Sequence, residues 1–112
     1  MPRSYFVYLL SNRTRTLYIG VTSNLHRRLA QHAEGKGSRF VAEHRLNKLV
    51  HVESYTRPLD AIAREKQLKG WVRRKKVELV EANNAGWNDL AIAWGWKEPL
   101  DSAGNGRRVG SR

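Results

Sequence analysis

Cysteine is missing from this chain altogether, and proline nearly so, with three in 112 residues. Without cysteine, neither a disulfide framework nor a thiolate zinc site can exist. Four histidines without spaced acidic partners make no strong case for zinc of another kind. Long apolar runs are missing too. No stretch approaches the ~18 residues that a membrane-spanning helix needs. The apolar part of "MPRSYFVYLLSNR" is too short to span and lacks the small-residue cleavage site of a secretory signal. The expectation is a cytoplasmic protein with no membrane contact. Acidic residues are scarce as well: 10 Asp and Glu face 21 Lys and Arg, for a formal net charge of +11. Such a surplus on a small domain predicts a polyanionic partner, nucleic acid first. Binding of that kind is sequence-independent and weakens steeply with salt. An anionic membrane surface is the competitor, but no basic helix here carries the broad apolar face it would need.

The chain is short enough for one domain with a modest core. Residues 5–10, "YFVYLL", and 17–21, "LYIGV", read as strands joined by the polar "SNRTRT" in an antiparallel hairpin. Ser23 or Asn24 can cap the helix that follows, in which Leu25, Leu29 and Ala33 recur every four residues. "EGKGSRF" breaks that helix, "RFVAEHRLN" reads as a short irregular or helical piece, and "KLVHVESY" reads as a third strand. In that strand Leu49, His51 and Glu53 alternate with Val50 and Val52. A second helix opens with Pro58 in its first turn and offers Leu59, Ile62, Ala63 and Leu68 as a buried stripe. After Gly70 a third helix restarts with Val72, Val77, Leu79 and Val80 for the core. Trp71, Trp87, Trp94 and Trp96 read as packing residues, and His26, His44 and His51 receive no role. The expected fold is α+β, order ββαβαα: a three-stranded mixed or antiparallel sheet flanked by helices, spanning residues 1–98. Residues 99–112, rich in Gly, Ser and Arg, read as a disordered basic tail.

The strand residues Phe6-Val7-Tyr8 and Tyr18-Ile19-Gly20 bear on function together. The two tyrosines are ten apart, Arg28 follows after ten more, His32 four later, and Glu65 lies in the second helix. In this order and spacing the sequence resembles the GIY-YIG nuclease superfamily, and its small bacterial members in particular, over roughly residues 3–92. Phe6 stands where the name-giving motif has glycine, and Asn83 or Asn84 falls where the family keeps a late asparagine. The resemblance implies a metal-dependent DNA endonuclease leaving a 5′ phosphate and a 3′ hydroxyl. It implies Tyr8 as the favoured base, Tyr18 and His32 as positioning groups, and Glu65 as the metal ligand.

The residue types suit that chemistry on their own terms. Phosphodiester hydrolysis needs an attacking water, neutralised phosphoryl oxygens and help for the leaving oxygen. Glu65 is a hard oxygen ligand for Mg²⁺ or Mn²⁺, and a lone carboxylate argues for one ion. Arg28 offers a planar, always charged fork to two phosphate oxygens. A phenol ionises near pH ~10, so a tyrosine base at neutral pH needs a nearby cation. The residues alone do not choose among Tyr8, Tyr18 and His32.

Each residue also has an ordinary reading. Strand tyrosines are commonly packed, Arg28 beside Arg27 is commonly a solvated face, Gly20 a strand-end glycine, and Glu65 a surface partner for Lys69 at i, i+4. Lys69, Arg73, Arg74, Lys75 and Lys76 form a basic cluster that, with Arg27, is expected to hold nucleic-acid phosphates without reading bases. The expected substrate is single-stranded, branched or damaged DNA rather than a defined sequence, with a partner protein as another route to targeting. A non-catalytic DNA- or RNA-binding module is the alternative that the charge alone would also satisfy.

Overall fold

Tyr5–Ser11 (β1) is the middle strand of a three-stranded sheet whose order is β2-β1-β3, with β2 Leu17–Thr22 and β3 Lys48–Tyr55. Both pairings are antiparallel. The computed structural model describes residues 3–98, so the expected tail at 99–112 lies outside the described residues. Five helices accompany the strands: α1 Leu25–Ala33, α2 Arg39–His44, α3 Pro58–Lys69, α4 Arg73–Asn83 and α5 Leu90–Ala93. The order is ββααβααα, longer than the expected ββαβαα by the two short helices α2 and α5. Each is fixed by a cap: Ser38 Oγ accepts from the Val41 N–H at 3.2 Å, and Asp89 Oδ1 from the Ala91 N–H at 3.0 Å. Each buries a single residue, Val41 or Ala91, which is too little to leave a periodic stripe in the sequence.

The sheet buries both faces. Val7, Leu9, Ile19 and Val50 pack with Ala61, Leu68, Val80 and Trp87 on one side. Tyr8, Leu10 and Leu49 pack with Leu25, Val41, Leu46 and Ala91 on the other. The simple alternation expected for β3 fails at one point. Leu9 pairs with His51 but Leu10 with Leu49, so the register shifts there. Val50 is the extra residue of this bulge. It joins the face of His51 and Glu53, while Leu49 joins that of Val52.

The buried stripe of α3 also differs from expectation. Leu59 (71% exposed), Ile62 and Ala63 face outward, and the inward residues are Ala61 and Leu68. The stripe at positions 61, 65 and 68 carries Glu65 between them, with Arg64 beside it, both half-buried. Charged groups in such places need partners. Arg64 has one in Glu53 of β3, at 2.8 and 3.0 Å. Glu53 also accepts from Tyr55 Oη at 2.7 Å and lies 2.9 Å from His51 Nε2. His51 thus has a structural place that its sequence neighbourhood did not disclose. Val72, expected in the core, is exposed at the start of α4, and Trp94 and Trp96, read as packing residues, are exposed after α5. Trp87 and Trp71 do pack with the core.

Candidate active site

Side chains alternate along a strand, so Tyr8 and Leu10 leave β1 on the side facing α1. Across the hairpin Tyr8 pairs with Gly20, and Leu10 with Tyr18. Tyr8 and Tyr18 are therefore diagonal on one face rather than opposite, with ring centroids 6.3 Å apart. Gly20 makes room for this arrangement. A Cβ at residue 20 would lie 2.4 Å from Tyr8 Cζ and 2.5 Å from its hydroxyl. The glycine is thus a steric requirement of Tyr8 and more than a strand end.

Only Ser23 and Asn24 separate β2 from α1, which ties the helix closely to the strand. Asn24 Oδ1 accepts from the Arg27 N–H at 3.0 Å and starts the helix there. One face of α1 then carries Leu25, Arg28 and His32 toward the sheet. His32 is buried, its Nε2 2.8 Å from Tyr8 Oη and its ring edge-on to Tyr18 at 5.6 Å. Gly37 (φ +89°) closes over the other side of the imidazole, where a Cβ would stand 3.4 Å from His32 Cε1. His32 Nδ1 has no hydrogen-bond partner among the described residues; the nearby Lys36 backbone favours a proton on the ring but lies outside bonding geometry to that atom.

Burial pushes the Tyr8 phenol far above its ordinary value, and Tyr18 adds to the rise; the nearby Arg28 guanidinium pulls the other way without offsetting it. Burial, then the Arg28 charge, lowers His32. The pair is a neutral phenol against a neutral imidazole near pH 7. Tyr8 is fully buried, so the group presents Tyr18 and Arg28, both half-buried, with Tyr8 and His32 behind them.

Glu65 arrives from α3, in the layer on the other side of the sheet. Its charge acts on Tyr8 in the upward direction, as the weakest of the influences on that group. Its ion-pair partner is Lys69, at 3.0 Å. The described residues contain no group of three or more His, Cys, Asp and Glu able to hold a metal together. Tyr8, Tyr18, Arg28 and His32 are brought together directly, and Glu65 within range of their charge.

The expected phosphate contacts are more mixed. Arg27 is exposed on α1. Arg73 donates to the Arg15 carbonyl at 2.8 Å, Arg74 pairs with Glu78 at 3.4 Å, and Lys75 lies 4.8 Å over the Trp71 ring. Lys76 is half-buried. The cluster is partly committed within the fold: Arg73 ties α4 to the β1–β2 loop, and Lys75 covers Trp71 at the α3–α4 corner. Asn84, a candidate for the late asparagine, is buried and donates to the carbonyls of Val50 and Asn88 at 3.1 and 2.9 Å. That makes it a clamp between α4 and β3.

Two tyrosines lie diagonally on one face of the sheet, and the helix that follows at once brings arginine and histidine to them. The GIY-YIG catalytic domain model matches residues 4–78, and the chain belongs to the GIY-YIG family. A UPF0213 protein of Natronomonas pharaonis is 38% identical over 80 residues, covering 71% of this chain and 94% of that protein. One from Bacillus velezensis is 36% identical over 78 residues, covering 70% and 79%. The solution NMR structure of a UPF0213 protein from Bacillus halodurans superposes with a TM-score of 0.52 at 27% identity, covering 80% of this chain and 95% of that one. Among the described residues no helix is long and apolar enough to cross a membrane.

Proposed function

We propose that this chain is a divalent-metal-dependent endonuclease that hydrolyses DNA phosphodiester bonds at the group formed by Tyr8, Tyr18, Arg28, His32 and Glu65. The observation that carries the reading is the convergence on Tyr8, where His32 bonds the hydroxyl and the charges of Arg28 and Glu65 both act. Membership of a nuclease family supports the class of chemistry.

Glu65 would hold Mg²⁺ or Mn²⁺. One hard oxygen suits an ion that keeps several waters and takes further ligands from phosphate. The carboxylate already draws a cation, the Lys69 ammonium, to 3.0 Å. When bound, the ion neutralises charge that builds on the phosphoryl oxygens. Arg28 grips the same phosphate with its planar fork. Tyr18, the phenol within a substrate's reach, orients the attacking water. Tyr8, behind Tyr18 and Arg28, stays protonated and holds His32 through its hydroxyl. This reading gives the water to Tyr18 rather than to Tyr8, the base that the resemblance implies.

Arg27, Arg74 and Lys76 contact phosphates without reading bases, so strand structure rather than sequence selects the substrate. Single-stranded, branched or damaged DNA fits, with a partner protein adding targeting. The test is cleavage of labelled single-stranded, duplex and branched DNA in Mg²⁺ or Mn²⁺. The expected result is faster cutting of the single-stranded or branched forms, with 5′-phosphate ends that a ligase accepts. Binding without cutting in every metal and on every form would favour the binding-module alternative instead.

A further inference from the structure

Trp94, Trp96 and His26 form a row of rings at the surface, in the layer that also carries Tyr8. Trp94 is 46% exposed and Trp96 39%. The ring centroids of Trp94 and Trp96 lie 5.1 Å apart at 71°, and those of Trp96 and His26 4.9 Å apart at 78°. A lone exposed aromatic needs no explanation, but a fixed row of them does.

The backbone fixes this row. Gly95 takes φ +77° just after α5, its N–H donating to the Ile92 carbonyl at 2.9 Å while the Trp96 N–H donates to the Ala91 carbonyl at 2.8 Å. This paired ending folds the chain back on the helix and brings Trp96 against Trp94. The next residue, Lys97, is anchored 2.6 Å from the carboxylate of Asp89, which is itself buried and accepts from the Leu49 N–H at 3.2 Å. The two indoles therefore stand on a turn tied down at both ends. They meet α1 through His26, and α1 is the helix that bears Arg28 and His32.

We propose that Trp94, Trp96 and His26 are a stacking platform for the bases of single-stranded nucleic acid, lying across α1 from the phosphate site. The proposal rests on the reading above that the chain acts on nucleic acid, and it names the feature that favours unpaired strands. Every base has a π-face, so indole rings accept bases without sequence preference. A duplex keeps those faces stacked on one another. The charge complements such a ligand: the chain carries +11, and Arg27, exposed, follows His26 directly. Beside the rings stand a histidine and an arginine in place of the wide aliphatic face that a bilayer would bury.

Fluorescence anisotropy of dye-labelled oligothymidylate, without divalent metal, tests this. The other probes are the same backbone made abasic, a blunt duplex, and competing phosphatidylglycerol vesicles. The base-bearing strand should bind about tenfold more tightly than the abasic one, a typical gain for stacked bases. Trp96→Ala and Trp94→Ala should each remove most of that advantage and leave abasic binding unchanged. The double variant W94F/W96F, which keeps two aromatic rings, should retain it. Equal affinity for both strands would overturn the platform, as would alanine variants that keep the advantage. Vesicles that compete through these tryptophans while the bases contribute nothing would assign the row to a lipid surface. Because no metal is present, the result is independent of cleavage. A chain that stacks bases but never cuts keeps the platform and loses the nuclease reading; one that cuts but ignores the bases does the reverse.

Discussion

Gly20 stands opposite Tyr8 across the β1–β2 hairpin, and the Tyr8 ring occupies the space that a side chain at residue 20 would need. That one contact joins the two halves of the family motif in space. The ring lies over β2 and so brings its hydroxyl to His32 Nε2 at 2.8 Å.

Gly20→Ala should therefore act through Tyr8. The three nearest Tyr8 atoms are ring or hydroxyl atoms at 2.4–2.8 Å, in a rigid and fully buried side chain whose hydroxyl is held by His32. Overpacking of this kind costs about 1–3 kcal/mol. Urea denaturation should show that loss, and cleavage should fall further than stability does, because the displaced ring releases His32.

The two tyrosines should respond differently to loss of the hydroxyl. Tyr8→Phe leaves a buried His32 without its Nε2 partner, a cost of about 1–3 kcal/mol. Tyr18→Phe removes a half-buried hydroxyl that has no hydrogen-bond partner among the described residues and should leave stability within about 0.5 kcal/mol. Under the proposed roles, Tyr18→Phe nevertheless lowers the cleavage rate by about 100-fold or more. Thermal melts and single-turnover rates on the pair separate positioning from direct participation.

Lys69 competes with a metal ion for Glu65. Lys69→Ala should lower the Mg²⁺ concentration giving half-maximal cleavage by a few-fold, roughly what an exposed ion pair is worth. A half-saturation point that rises or stays fixed would place the metal away from Glu65.

Acid should unfold the protein through Glu53. Burial alone would raise its carboxyl, but the bonds from Arg64, His51 and Tyr55 hold it down at about 2, from an ordinary 4.5. The folded-state value lies below the unfolded one, so the carboxylate's stabilisation is complete above about pH 5 and is lost as pH falls toward 2. It amounts to about 3 kcal/mol. Denaturant midpoints measured from pH 6 to pH 3 should fall for the wild type. Glu53→Gln should start lower and lose that part of the slope.

Much of this fold was legible in the sequence because the strands are apolar, β-branched or aromatic runs bounded by polar residues. The third strand has the expected bounds, and the first two differ from expectation by one residue each. That Tyr18, Arg28 and His32 would lie near one another was legible from their order and spacing, and the two-residue link from β2 to α1 is what brings them together. The register was not. The β1–β2 loop has none of the two-residue turn signals that fix pairing, so Tyr8 against Gly20 could not be foreseen. Nor could the bulge at Val50, which adds one residue where alternation allows none. In α3 the apolar Leu59 and Ile62 suggested the wrong face. The helix is instead turned by Arg64, which is drawn to a carboxylate eleven residues earlier, on a strand. The Trp94–Trp96 row depends on a glycine turn after a four-residue helix, too short to show a period.

The most direct test of the central claim is the rate of Mg²⁺-dependent cleavage of one labelled branched DNA by the wild type, Glu65→Ala and Arg28→Ala, purified side by side. The account predicts cutting by the wild type that stops with EDTA. It also predicts a loss of about 100-fold or more in both variants, each with an unchanged circular dichroism spectrum. Equal cutting by all three would show that these residues do not carry the reaction and would contradict the account.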